Sequence, residues 1–500
     1  MKIISYSLAA LLLLSGCDLE EKKLDNSLSA LIEEHKLTGD PSTGHDVPSI
    51  NDAKAQLGMK LFYTKTMSIP GDTACVSCHH PMLGGGDGVH ISIGTGATDT
   101  DIFGYERLLD PTKSAVYDIV GGGPTQSVNA PTTYNAALQD KFMAWHGIIE
   151  AADPEAGYNG TVGGIYNPDS QYEADGTTRI VDPYAGANIP ASQSRFPVQN
   201  PIEMAGHGEE IEGLNSFGIR QILLDRFTGE GNSSDFGTNY LTAEARAAWQ
   251  DAFEDANVTI TDANIYNMIS YYERTQLFIE NPWKRYVQGD KSALSKDAKE
   301  GALLFFNSYE NGGANCVQCH AGDFFTDHEM RVMAVPQIGL GTQDNGDSYG
   351  REDITNNPAD RYKWRTMSLL NIEKTGPWGH DGAFSSLRAM VQHMVDPSTD
   401  YDVSNILEDK MQNLEYIVTN HDKALAQLAE NRANGVSPHR VVNLNDTQID
   451  QIVEFLKALT DPRLNDYEYM KQWVPENDAT AAILDLQVNV TLPEEATKAN

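Results

Sequence analysis

Cys75-Val-Ser-Cys-His79 and Cys316-Val-Gln-Cys-His320 decide how this chain of 500 residues is read. Cys-x-x-Cys-His is the attachment signal for a c-type haem: two thiols one turn apart add to the haem vinyl groups, and the following histidine supplies the proximal iron ligand. A structural zinc site needs four ligands, and each copy offers at most three. Two copies 241 residues apart therefore predict two covalent haems, on Cys75, Cys78 and His79 and on Cys316, Cys319 and His320.

The sequence before each motif repeats. Asn51 or Asp52 caps a helix carrying Ala53, Leu57, Leu61 and Phe62 ahead of Cys75; Ser295 caps one carrying Ala298, Ala302, Phe305 and Phe306 ahead of Cys316. An apolar helical face leading into a haem motif, twice, predicts a duplicated unit. The fold class expected is mainly α, with two cytochrome c-like haem domains, long loops and little strand.

Boundaries follow from composition. Met1-Lys2, the apolar run through Leu14 and Leu14-Ser-Gly-Cys17 have the form of a lipoprotein signal over 1–16, too short to span a bilayer. Cys17, the fifth cysteine, then becomes the lipidated first residue. Residues 17–45 read as a flexible tether, 46–230 as the N-terminal haem domain with an insertion at about 153–190, 240–475 as the C-terminal haem domain, and 476–500 as a tail. Phe227–Asn239, rich in Gly, Ser, Asn and Asp, reads as the linker.

Acidic residues outnumber basic ones 71 to 36, a formal charge of -35. Such a field repels nucleic acid and anionic membrane surfaces and steers a basic electron carrier toward the surface. A lipid anchor and covalent c-type haem both fit the periplasm.

The sixth iron position separates electron transfer from catalysis: a Met or second His closes it, and an empty one admits peroxide. For the second haem the sequence offers His328, Met330, Met333, His380, Met390, His393 and Met394, and spacing does not choose among them.

Four further stretches, Asn129-Ala-Pro-Thr-Thr-Tyr-Asn135, Trp145-His-Gly147, Asn200-Pro-Ile-Glu-Met204 and Thr375-Gly-Pro-Trp-Gly-His-Asp-Gly382, resemble the bacterial di-haem cytochrome c peroxidase family, which includes MauG. The resemblance implies a peroxidatic N-terminal haem, an electron-transfer C-terminal haem and a calcium ion between them. It implies Glu203 as the active-site carboxylate, Gln193 as its partner, Trp145 as the residue between the haems and Met394 as the second axial ligand. Calcium would be held by Asn129 and the backbone carbonyls of Thr375 and Pro377. The implied activity is reduction of hydrogen peroxide with electrons from a small cytochrome c or copper protein, often in a homodimer. Alternatives are MauG-like oxidation of Trp or Tyr in a partner protein, and plain electron transfer. One departure stands out. Where many members carry Gly-His-Gly, whose histidine closes the first iron, this chain has Gly94-Thr95-Gly96; an open first iron is expected, with His90 the rival ligand.

Overall fold

The computed structural model describes residues 4–113, 126–153, 157–174, 178–231, 234–343, 345–398 and 420–488, with backbone alone over 4–18. Its helices run α1 (Ile4–Glu34), α2 (Ala53–Tyr63), α3 (Ile189–Gln193), α4 (Ser216–Thr228), α5 (Ala243–Asp255), α6 (Asp262–Arg274), α7 (Pro282–Val287), α8 (Lys296–Phe306), α9 (Glu352–Thr355), α10 (Leu387–Val395), α11 (His421–Ala433) and α12 (Asp446–Lys457), before two short turns of helix. The named strands form two small antiparallel sheets: β1 (Phe142–Met143), β2 (Ile149–Ala151) and β3 (Ile165–Tyr166) in that order, and β4 (Met330–Arg331) with β5 (Trp364–Arg365). The fold is mainly α, as the sequence predicts.

The duplication is physical. α2 and α8 are each eleven residues long and have glycine at their sixth position. A Cβ at Gly58 would lie 1.9 Å from the Met268 carbonyl oxygen of α6, and one at Gly301 would lie 1.8 Å from that of Gln451 in α12. Helix pairs can cross this closely only where one side chain is missing. Ser295 caps α8 by accepting from Ala298 N–H at 3.1 Å, whereas Asp52 holds the cap position of α2 without a side-chain cap bond. Each helix is followed by two 3₁₀ turns, Lys65–Met67 then Cys75–Ser77 in the first half and Tyr309–Asn311 then Cys316–Gln318 in the second.

Two hydrophobic cores divide between Phe278 and Ile279. The first gathers Phe62, Phe227, Trp249, Phe253, Tyr266 and Tyr272; the second gathers Trp283, Phe305, Phe306, Phe325 and Phe455. The stretch expected as a linker is thus misplaced. Phe227 is fully buried against Trp249 at 5.2 Å, and α5 and α6 complete the first core. Burying their apolar faces outweighs the turn-like composition between α4 and α5.

Both ends also depart from expectation. The segment expected as a tether packs on the second core: Leu28 is fully buried there, and Asp323 accepts from the backbone N–H groups of Thr38 and Gly39. Lys299, whose side chain has no exposure, meets Glu21 and Asp25 at 2.9 and 3.0 Å. A buried ammonium without those carboxylates would be costly, which ties α1 down. The signal segment and Cys17 lie outside the residues described with side chains. At the other end Met470, Trp473 and Leu484 return to the first core, and Trp473 Nε1 donates to Thr275 Oγ1 at 2.9 Å; residues 489–500 lie outside the described residues.

The insertion begins earlier than expected. β1, β2 and β3 with Ile149, Ile165, Ala185, Ile189 and Phe196 form a small core of their own, ending in α3; residues 154–156 and 175–177 within it lie outside the described residues. Among the described residues no helix is long and apolar enough to cross a membrane.

Candidate haem cavities

Each attachment motif opens on a cavity. Cys75, Cys78 and His79 line a space of about 850 Å³, and Cys316, Cys319 and His320 line one of about 240 Å³. None of the four cysteines is in a disulfide. In both motifs the histidine Nδ1 sits 3.1 Å from a backbone carbonyl, of Gly85 for His79 and of Phe325 for His320. That bond fixes the tautomer with Nδ1 protonated and leaves Nε2 for iron. Burial lowers both imidazole pKa values, favouring the neutral form that ligates. Paired thiols, an oriented imidazole and an apolar-walled cavity fit a c-type haem at each motif.

The first cavity is acidic. Glu203 stands on the single helical turn Pro201–Ala205, which Asn200 caps by accepting from Ile202 N–H at 3.1 Å. The other end of the same amide donates to Glu203 Oε1 at 2.8 Å. Burial raises the Glu203 pKa to about 7, against the opposing effect of that bond. Gln193, the last residue of α3, lines the same cavity, and its Oε1 is buried with no partner. An orphaned acceptor on a cavity wall is what a bound ligand would satisfy.

Glu273 was missed in the sequence. It lies on α6 four residues after Ile269, and both line the cavity; its Oε2 is buried without a partner and burial raises its pKa to about 8. The available signal was its position on the stripe Ile265, Ile269, where helical spacing predicts an apolar residue. His146 also lines this cavity with Nδ1 unpartnered, its pKa pushed down to about 4 by burial and then by Arg351.

Neither Thr95 nor His90 is part of that wall. Thr95 donates its hydroxyl to the Pro201 carbonyl at 2.9 Å, and Gly94 packs so tightly that a Cβ would lie 2.6 Å from the Glu203 carbonyl oxygen. The Gly-Thr-Gly loop therefore buttresses the turn carrying Glu203. His90 is buried with its Nδ1 against the Gly382 carbonyl of the second half. His80 is buried, its ring centroid 5.3 Å from that of Phe103, and it accepts from Met82 N–H.

The second cavity narrows the seven ligand candidates to four, Met333, His380, Met390 and Met394. α10 presents Met390 and Met394, one turn apart, to the cavity. His393 on the same helix turns away, with Nε2 2.9 Å from the Met333 carbonyl oxygen. His380 stacks on Trp364 at 4.0 Å, with Nε2 2.6 Å from Asp381 Oδ1.

Asn129, Pro131, Thr132, Trp145 and Arg365 line both cavities and so form the wall between them. Trp145 sits at the tip of the β1–β2 hairpin. Its indole N–H donates to the Asn129 carbonyl at 2.8 Å, and its own carbonyl accepts from the Arg365 backbone N–H at 2.8 Å. Gly147 turns the hairpin at φ +66°, a backbone conformation that residues with a Cβ adopt only with strain. Arg365 reaches Gln139 Oε1 at 2.7 Å, and Arg351 reaches the Gly147 carbonyl at 2.6 Å and Glu150 at 2.7 Å. These two arginines of the second half hold the hairpin in place.

Asn129, Thr375 and Pro377 share the wall of the second cavity. The Asn129 amide N–H₂ donates to the carbonyls of Val89 and His90, leaving Oδ1 as the atom for a cation. Neutral hard oxygens of this kind suit calcium.

Residues 52–292 match the family model described as di-haem cytochrome c peroxidase. Relatives include the cytochrome c551 peroxidase of Nitrosomonas europaea, 25% identical over 69% of this chain and 73% of that protein. They also include the methylamine utilization protein MauG of Methylorubrum extorquens, 24% identical over 68% of each. A solved MauG-like protein associated with microbial copper homeostasis, 20% identical, covers 86% of this chain and 97% of its own at a TM-score of 0.50, a likeness of fold. The chain is similar to the di-haem cytochrome c peroxidase and MauG family, and that likeness supports a haem peroxidase-type oxidoreductase with two c-type haems.

Proposed function

We propose that this protein is a lipid-anchored periplasmic di-haem peroxidase that reduces hydrogen peroxide to water, with electrons from a small cytochrome c or copper protein entering through the second haem. One observation carries the reading: Glu203 and Gln193 share the wall of the large cavity that also holds Cys75, Cys78 and His79. A haem held there by Cys75, Cys78 and His79 would supply the iron that binds peroxide and the electrons for its reduction. Glu203 accepts a proton from the inner peroxide oxygen and returns it to the outer one, which leaves as water. A carboxyl poised near neutrality suits both halves of that transfer. The Gln193 amide oxygen accepts from the peroxide O–H and orients it without adding charge. Met394 would hold the second iron, Trp145 offers an aromatic step through the shared wall, and Asn129, Thr375 and Pro377 would hold a calcium ion that steadies it. Cys17 carries the lipid, and the acidic surface attracts a basic donor.

A second reading, oxidation of Trp or Tyr in a partner protein, is favoured by Thr95, whose hydroxyl is committed to Pro201 where many relatives of the first reading have a closing histidine. A steady-state assay with reduced cytochrome c separates the two, because a protein-modifying enzyme turns such donors over slowly. For the shared chemistry the test is Glu203→Gln, which should abolish peroxide turnover while both haems remain attached; unchanged turnover removes Glu203 from the mechanism.

A further inference from the structure

Tyr349 is the only tyrosine on the wall of the first cavity among the described residues. It lies in the second half, ahead of α9, whose Glu352 and Asp353 line the same cavity. Its ring meets Tyr362 edge-on, with centroids 6.2 Å apart and planes at 85°. That is ordinary aromatic contact, close enough for an electron to pass between the rings. Tyr362 is 5% exposed and donates its hydroxyl to Asp347 Oδ2 at 3.0 Å.

Asp347 is itself buried, yet held as an anion. Burial opposes the charge, but Lys423 at 2.8 Å, Asn420 at 2.8 Å and Tyr362 more than offset it, and the carboxyl stays below the usual range. The Lys423 side chain is 58% exposed, so this charge network reaches water. A buried tyrosine can lose an electron at modest potential only if its proton leaves as well. Tyr362 has a buried carboxylate waiting on its hydroxyl, and Tyr349 connects it to the peroxidatic cavity.

We propose that Tyr349 and Tyr362 form a redox relay that draws one oxidising equivalent out of the first cavity, with Asp347 as proton acceptor. Tyr349 would give one electron to a haem in that cavity that peroxide has oxidised, and so reduce it by one electron. Tyr349 is refilled by Tyr362. The Tyr362 O–H bond breaks, its proton passes to Asp347, and a neutral tyrosyl radical remains. One electron from a donor, together with the same proton, restores the phenol. The relay gives the oxidising equivalent a protein-borne resting place when no donor is at hand, and it rests on the peroxide chemistry assigned to the first cavity.

The test is electron paramagnetic resonance of the holoprotein frozen after mixing with hydrogen peroxide and no donor. Loss of the first haem's ferric signal reports the peroxide chemistry; a free-radical signal that narrows when tyrosine is ring-deuterated reports the relay. Tyr362→Phe removes only a hydroxyl and leaves Asp347 paired with Lys423 and Asn420. It should abolish the radical while the ferric signal still falls, and Tyr349→Phe should do the same. A radical of undiminished intensity in Tyr362→Phe, or a falling ferric signal with no tyrosyl radical, overturns the relay. Haem signals indifferent to peroxide overturn the peroxide reading itself, and the relay falls with it.

Discussion

The two cavities share their mode of attachment and one wall, and differ in much of their remaining lining. Both begin with an eleven-residue helix crossed at its sixth-position glycine, a 3₁₀ turn carrying the thiols, and a histidine held by a carbonyl at 3.1 Å. Yet the first is lined by four carboxyl groups, Glu203, Glu273, Glu352 and Asp353, with an orphaned Gln193 oxygen. The second has no carboxyl group among its described lining residues and instead has Met333, Met390 and Met394 with Arg331 and Arg440. Duplication fixed how a haem is held. The lining that differs comes from the Pro201–Ala205 turn, α6 and α9 in the first cavity and from α10 in the second, and on the proposed reading it suits one site to proton transfer and the other to electron transfer.

The sharpest way to break that contrast is to remove the acid. Glu203→Gln should lower peroxide turnover by about 10²–10⁴-fold, the usual worth of a positioned general base. Because the base must be ionised, kcat/KM of the parent should fall as pH drops below about 7 and level off above it. The variant should lose that limb.

Next in size is the second iron's ligand. Met394→Leu should convert the low-spin signal of the second haem to high-spin, making the second cavity resemble the first. His393→Ala, whose ring faces the Met333 carbonyl, should leave that signal unchanged. The reverse pattern would exchange their roles.

A smaller effect tests what is common to both halves. Gly58→Ala and Gly301→Ala each put a methyl group within 2 Å of a backbone oxygen. Each should cost about 1–3 kcal/mol of stability in thermal unfolding, by forcing the crossing helices apart. Widely different costs would mean that the two crossings are not equivalent. The smallest effect is at the loop that departs from the family. Thr95→Ala removes one hydroxyl bond to Pro201 and should cost about 1 kcal/mol with little change in the haem spectra.

The attachment residues, the duplicated helices and the mainly α fold were legible because they depend on contiguous patterns. Glu203, Gln193 and Trp145 came from the family's motifs, which hold distant segments to a shared cavity that no local pattern reveals. The boundary between the halves was misread because Gly- and Ser-rich composition near residue 230 resembles a linker, while the deciding quantity was the apolar face of α5 and α6. α1 looked like a tether because its partner, the buried Lys299, is 278 residues from Glu21.

The central claim is an open, peroxide-reactive first iron beside a closed second one. An electron paramagnetic resonance spectrum of the oxidised protein, followed by titration with hydrogen peroxide, tests it directly. The account predicts one high-spin and one low-spin ferric signal, with the high-spin signal lost on adding peroxide and no prior reduction needed. Two low-spin signals indifferent to peroxide would contradict it.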